Sequence, residues 1–257
     1  MKKTIQYFRK NPGRIIFYSL LLLMVADAFL VEPKFLKIKT VSLSPKASCR
    51  IALFSDIHYK GDKKYLQEVI DSINRLSPDI VCFCGDIVED KKYLEEALGF
   101  IRLIRHPVYG VPGNHEYWSG ASITEITEAF KSTGGDFLVD RSVFNKEKNI
   151  LVTGYVNALP ASIEASSNAK KLLLMHYPMS AEDVKNEKFD LIMAGHSHGG
   201  QIRMPFYGAL HVPYKVGKYE SGLYEFGGIL LYVNPGVGTF FIPVRFFCRP
   251  EITMIEL

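Results

Sequence analysis

The chain has 257 residues, 47% of them apolar, enough to bury a full core in one or two domains. Five Lys/Arg against one Asp in residues 1–31 already account for the net charge of +4, so residues 32–257 are formally neutral and lack the overall basic charge of a nucleic-acid binder. Cys49, Cys82, Cys84 and Cys248 form neither a Cys-x-x-Cys pair nor a dense framework, and they read as small buried hydrophobes rather than a zinc or redox site.

Lys2, Lys3, Arg9, Lys10 and Arg14 lead into an apolar stretch, residues 15–31, interrupted by a few polar residues such as Asp27. A spanning helix needs ~20 mostly apolar residues, and this stretch lies at the short end of the ~17–25 range; Asp27, near its far end, avoids the ~2–3 kcal/mol that a central charge costs. Ala26-Asp27-Ala28 also resembles a small-x-small cleavage site, so an export signal is the alternative to the preferred uncleaved anchor. Five cations with no acid among them argue against a buried helix. By the positive-inside rule they keep the N-terminus cytoplasmic and place the body on the outer side, a bias that Lys34, Lys37 and Lys39 reduce. Residues 1–35 are therefore expected to be the anchor or signal segment, and residues 36–257 one globular body expected to be monomeric.

Beyond the anchor, apolar runs alternate with amphipathic stretches. Residues 50–55 read as a strand ending at Asp56. Residues 62–76 carry Tyr65, Leu66, Val69, Ile70, Ile73 and Leu76 at helical spacing until Ser77-Pro78 stops them. A strand over 79–84 ends at Gly85-Asp86, a helix is predicted over 91–104, and a third strand over 107–111 ends at Gly113-Asn114. Asp56, Asp86 and Asn114 stand 30 and 28 residues apart, close to one βαβ unit each. Each motif then falls just past a strand on one edge of a parallel sheet, where such sheets bind ligands. After a helix over 122–131 come strands over 150–155, 171–175, 189–194, 228–233 and 251–255, two of which deliver His176 and His196/His198. Residues 161–169 read as a polar surface loop.

The motifs are Asp56-x-His58, Gly85-Asp86, Gly113-Asn114-His115-Glu116, His176 and Gly195-His196-Ser197-His198. Each is weak alone: Gly-Asp marks many turns, and Asn114 would serve a helix-capping turn. The histidine pair is the strongest, because two imidazoles in a glycine-flanked loop are hard to justify as packing. As an ordered set at strand ends they supply the oxygen and nitrogen ligands of a two-metal hydrolytic site.

These residues resemble the calcineurin-like metallophosphoesterase family over nearly all of residues 50–257. Gly-His-x-His-Gly-Gly-Gln at 195–201, Asn234-Pro235-Gly236-Val237-Gly238 and Cys248-Arg249-Pro250-Glu251 are similar to a bacterial branch with N-terminal anchors or export signals. That branch includes phosphodiesterases of undefined substrate and a relative that cleaves the pyrophosphate of UDP-diacylglucosamine. The resemblance implies an α/β fold, an αββα sandwich of two mixed sheets flanked by helices behind an N-terminal apolar helix. It also implies that Asp56, His58 and His198 bind one metal, Asn114, His176 and His196 the other, and that Asp86 bridges them. Glu116 stands where Asp is frequent, which puts no ligand in doubt. Carboxylate, amide oxygen and imidazole suit Mn²⁺ first, or Fe²⁺ or Zn²⁺, and no thiolate selects for zinc. Two such ions ~3.5–4 Å apart can share a water and lower its pKa, which makes a bridging hydroxide the expected nucleophile. His115 completes neither metal, so it is the expected proton donor to the leaving oxygen or stabiliser of equatorial charge. His106 and His211 are expected to be structural.

Trp118 is placed to stack on substrate or to pack its loop. Arg203, Met204, Phe206, Tyr207, Leu210, Val212, Tyr214, Lys215, Lys218 and Tyr219 mix apolar and cationic groups, suiting either an interfacial lip that admits a lipid-linked phosphate or an ordinary hairpin. Arg249 is a lesser candidate for a phosphate contact, with a surface ion pair the equal alternative. The leading expectation is a metal-dependent phosphodiesterase or pyrophosphatase acting on a small-molecule or lipid-linked phosphoester, with no nucleic-acid partner. The alternatives are a UDP-2,3-diacylglucosamine pyrophosphatase of lipid A synthesis, whose substrate would be met on the cytoplasmic face against the charge rule, and a phosphoprotein or monoester phosphatase. A non-catalytic metal-bound scaffold ranks last, since it need not retain a proton donor.

Overall fold

Three short, largely buried apolar runs set the first sheet: β2 (Arg50–Phe54), β3 (Ile80–Phe83) and β4 (Val108–Gly110) pair in parallel, and the two-residue β5 (Asp136–Phe137) joins β4 in parallel at the edge. The computed structural model describes residues 12–161 and 165–257; Lys2, Lys3, Arg9, Lys10 and the middle of the 161–169 loop lie outside the described residues. Beside β2 runs β14 (Glu251–Glu256), antiparallel, and beyond it β1 (Lys37–Ser42), parallel to β14. The second sheet has the order β12-β13-β9-β8-β7-β6. In it β7 (Ile150–Tyr155), β8 (Lys170–Met175), β9 (Leu191–Ala194) and β13 (Ile229–Val233) are parallel, while β6 (Arg141–Asn145) and β12 (Gly222–Phe226) pair antiparallel at its edges. A separate ribbon joins β10 (Arg203–Met204) to β11 (Gly208–Ala209).

The sheets stack through Ile51, Leu53, Ile80 and Cys82 of the first and Leu172, Leu174, Leu191 and Met193 of the second. Cys82 and Cys84 share this layer, as their two-residue spacing on a strand requires, and all four cysteines are free and buried. On the outer face of the first sheet, Phe54, Val81 and Phe83 meet three helices, Lys63–Leu76, Leu94–Ile101 and Ile123–Ser132. The first of these is capped by Asp62, whose carboxylate accepts from Tyr65 N–H, and ends at Ser77 in the left-handed region before Pro78. Its Leu66, Val69, Ile70 and Ile73 form the buried stripe. Ile70→Ala is expected to cost about 2–5 kcal/mol in denaturant unfolding, because the cavity lies under a fully buried side chain. On the second sheet's outer face the helical layer thins to one 3₁₀ stretch, Pro178–Val184, with Tyr219 beside it.

Two mixed sheets flanked by helices match the expected architecture, with differences at the edges. The helix expected over 91–104 divides into a 3₁₀ turn, Lys91–Tyr93, and the helix Leu94–Ile101. Sequence reading missed β1, β5, β6 and β12 of the two sheets. All four are edge strands: β5 is only two residues long, β1 and β12 leave most or alternate residues exposed and every residue of β6 is half-buried, so they lack the apolar run of the central strands.

The helix Pro12–Ala26 buries none of its side chains. With the turns that follow it makes a 23-residue helical stretch, Pro12–Lys34, long and apolar enough to cross a membrane. Its end packs on the body: Ala28, Glu32 and Pro33 are buried, Ala28 C=O accepts from Arg245 N–H at 2.9 Å, and the Glu32 carboxylate accepts from the N–H groups of Phe247 and Cys248.

Candidate metal centre

The loops after β2, β3, β8 and β9 and the start of the helix Asn114–Trp118 converge at one end of the two sheets. Five of the seven expected ligands, Asp56, His58, Asp86, His196 and His198, take positive φ. Non-glycine residues adopt that region at a cost of about 1–3 kcal/mol each, a strain that clusters at functional sites. The turns interlock: Asp56 N–H donates to Gly85 C=O, His58 N–H to Asp86 C=O, and His196 N–H to the Asp56 carboxylate at 3.0 Å. Gly113 is required by contact, since a Cβ there would overlap Asp86 Oδ1.

Two triads result, Asp56–His58–His198 and Asp86–His176–His196, each with ligand atoms within 4.8 Å of one another. Asp86 sits between them, its Oδ2 3.4 Å from Nε2 of both His58 and His176. Asn114 Oδ1 lies 3.0 Å from His176 Nε2 and adds an amide oxygen to the second triad. Hydrogen bonds fix the rings. His176 Nδ1 donates to Cys84 C=O at 2.7 Å, leaving Nε2 for the site, and His196 Nε2 donates to Tyr214 C=O at 2.9 Å, leaving Nδ1.

The donor set fits two divalent cations. The Nε2 atoms of His58 and His198 face each other at 3.1 Å in a buried position, and His198 Nδ1 has no hydrogen-bond partner. Burial of this kind without a cation is costly. Electrostatics agree. Burial pushes the Asp56 carboxyl up to about 6, whereas Asp86, against its burial, is held far below the carboxylate range by His176 and His58. Also against burial, Asp86 and Asp56 lift His176 to about 9; burial and the His176 charge bring His196 down to about 3, and burial depresses His198 strongly. Against its burial, Glu89 and Asp86 raise His58 as well, so the metal-free site favours protons on His176 and His58 that a metal must displace. Metal affinity is expected to rise with pH through the neutral range, with proton release visible in calorimetry as a dependence on buffer ionisation enthalpy.

His115 stands beside the ligands. Its N–H donates to Asp86 Oδ1 at 2.8 Å, and its buried Nε2 has no hydrogen-bond partner. Burial draws its pKa below the ordinary value, with Asp86 and Glu89 opposing. A cavity of about 390 Å³ opens over Asp86, Asn114, His115, His196 and His198, walled by Trp118, Tyr177, Tyr214, Lys215 and Phe240. Trp118 is 71% exposed at this mouth, so it is not a packed loop anchor.

Arg203 and Arg249 are not brought to this cavity. Arg203 donates to Gly199 C=O and pairs with Glu220 at 3.0 Å; Arg249 donates to the carbonyls of Phe35 and Leu36 and stacks on Phe35. Both line a different cavity, beside Asp27 and Glu32. His106 and His211 lie outside both triads.

Sequence reading missed several residues of the site. Glu89 places Oε1 2.9 Å from His58 Nδ1 and Oε2 3.4 Å from His115 Nδ1; an acid three residues past Asp86 was the available signal. Glu116 was named in the sequence only as part of its motif; it is buried and accepts from the N–H groups of Asp86, Ile87 and Gly113, tying two ligand loops together. Phe240 sets its ring 5.6 Å from His115 and 6.0 Å from His198. Arg245, fully buried, donates to the carbonyls of Pro235, Gly236, Gly238 and Cys248, holding the chain behind Asp56.

A family model described as calcineurin-like phosphoesterase matches residues 49–200. The chain is 30% identical over 227 residues to the uncharacterized metallophosphoesterase YkuE of Bacillus subtilis, covering 81% of this chain and 78% of that one. It is 28% identical to the phosphodiesterase YaeI of Escherichia coli, over 82% and 83% of the two chains. To the transmembrane protein with metallophosphoesterase domain of Danio rerio it is 29% identical, over 81% of this chain and 53% of that longer one.

Proposed function

Because this chain belongs to the calcineurin-like phosphoesterase family, and so is a metal-dependent phosphoester hydrolase, we propose that it cleaves a phosphodiester or pyrophosphate bond, carried by a small or lipid-linked molecule, at a dinuclear centre. Asp56, His58 and His198 would hold one ion and Asn114, His176 and His196 the other, with Asp86 available to both. The observation that carries this reading is the position of Asp86 Oδ2, equally close to one imidazole of each triad. The oxygen and nitrogen donors favour Mn²⁺, with Fe²⁺ and Zn²⁺ as alternatives. Bound there, two divalent ions would acidify a shared water and draw charge from the phosphoryl oxygens.

The chain's own residues supply the rest. His115 directs its unbonded Nε2 to the leaving oxygen and delivers a proton as the P–O bond breaks, while Glu89 faces the ring's Nδ1 and Asp86 accepts from the His115 backbone N–H. Trp118, Tyr214 and Phe240 give apolar faces to the group attached to phosphate, and Lys215, 4.5 Å from the Tyr177 ring centroid, offers it a charge.

The apolar helical stretch Pro12–Lys34, together with relatives named as transmembrane proteins, supports membrane association. We take the helix as a retained anchor, because Ala28 of the small-x-small site is buried and bonded to Arg245. The basic N-terminus favours an extracytoplasmic body. A UDP-diacylglucosamine pyrophosphatase, which would need the opposite side, is the second reading, favoured by the apolar walls of the cavity. Hydrolysis of bis(p-nitrophenyl) phosphate against p-nitrophenyl phosphate by Mn²⁺-loaded protein tests the proposal: preferential diester cleavage supports it, and exclusive monoester cleavage replaces it with a monoester phosphatase.

A further inference from the structure

Phe240 faces the candidate ligands, yet the next two residues turn outward: Phe241 is 82% exposed and Ile242 47%. The far end of the same loop is bonded to the end of the apolar helix, through Arg245 N–H to Ala28 C=O and through the N–H groups of Phe247 and Cys248 to Glu32. Phe247 is also exposed. The β10–β11 ribbon hangs from this platform, since Arg203 N–H donates to Phe246 C=O and Phe246 N–H to Gln201 C=O. Its tip carries Phe206 and Tyr207, both exposed. Phe206, Phe241 and Phe247 all take positive φ, a conformation that bulky residues rarely adopt. Strained backbone here serves to hold three phenyl rings in water, where they gain nothing.

Dimensions supply the missing phase. From Pro12 to Glu32 a helix rises about 30 Å, the thickness of a bilayer's hydrocarbon core, so Ala28 and Glu32 reach its boundary. Phe241 is four residues from Arg245, at most about 14 Å of extended chain from that boundary, and Phe247 is bonded at it.

We infer that residues 239–249 and the β10–β11 tip form a membrane-contact lip, with Phe206, Phe241, Ile242 and Phe247 seated in the phospholipid surface, so that the cavity behind Phe240 takes phosphoesters carried on lipids. The inference rests on the proposed hydrolase and anchor and deepens them, naming where the substrate enters. Aromatic rings at an interface beside a span are a stable arrangement.

The four native cysteines are buried, so single introduced cysteines can be labelled selectively in the full chain. Phe241→Cys, Phe247→Cys and, as a control, Leu103→Cys carry an environment-sensitive fluorophore in phosphatidylglycerol vesicles containing spin-labelled lipid. Positions 241 and 247 are expected to be quenched and blue-shifted while 103 behaves as in water. Vesicle-associated protein with all three sites alike overturns the lip, and protein that does not float with vesicles overturns the anchor as well. In a second arm, Phe241→Ser with Ile242→Ser is expected to keep bis(p-nitrophenyl) phosphate turnover within about twofold but lose about tenfold or more on a headgroup-labelled phospholipid in vesicles. Equal loss on both substrates overturns the lipid-selective role. The quenching arm needs no turnover, so failure of the proposed hydrolase leaves it readable.

Discussion

Asp86→Ala is expected to reduce bound metal to at most one equivalent and to lower turnover by on the order of 10³-fold or more, several kcal/mol of transition-state stabilisation. The effect is large because Asp86 is the only carboxylate within reach of imidazoles from both triads among the described residues. It also holds His115, whose N–H it accepts at 2.8 Å. Asp86→Asn keeps that acceptor and the side-chain volume, so it separates charge from folding. It is expected to lose nearly as much activity while unfolding at a denaturant concentration close to that of metal-free wild type. Metal content is read by elemental analysis and turnover with bis(p-nitrophenyl) phosphate.

His115→Ala should show the opposite pattern, with both metals retained and turnover on alkyl diesters reduced by about 10²–10⁴-fold, the usual worth of a positioned proton donor. Its Nε2 is buried and unbonded, and no atom of its ring is needed to complete either triad. An alkoxide leaves poorly without a proton, whereas p-nitrophenolate leaves well. The loss is therefore expected to be much smaller on p-nitrophenyl esters. Burial makes the His115 imidazolium a stronger acid than free histidine and keeps its population low at neutral pH, so wild-type turnover on alkyl diesters should decline as pH rises from 6 toward 8. Loss of metal along with activity, or a loss indifferent to the leaving group, would remove His115 from this role.

The centre was legible in the sequence because each ligand motif follows an apolar run, and such runs form central strands whether or not their partners are known. Asp56, Asp86 and His196 could be placed from local pattern alone. Glu89, Phe240 and Arg245 could not, since their meaning depends on crossings between distant segments: the loop behind Asp56 is held by an arginine 189 positions further on. Arg203 and Arg249 show the converse limit. A cation near a phosphoester site suggests phosphate, but the Arg249 guanidinium is taken by backbone carbonyls and that of Arg203 by a carbonyl and Glu220, which no residue pattern reveals. At the N-terminus the hydropathy was plain, while the docking of Glu32 beneath Phe247 and Cys248 was not, because a buried carboxylate satisfied by two amides looks in sequence like any flanking acid.

The dinuclear claim is tested most directly by titrating metal-free protein with Mn²⁺ and following bound metal and bis(p-nitrophenyl) phosphate turnover in the same samples. The geometry predicts a break at two equivalents, with activity appearing as the second site fills. Full activity at one equivalent, or two bound ions with no turnover, would contradict it.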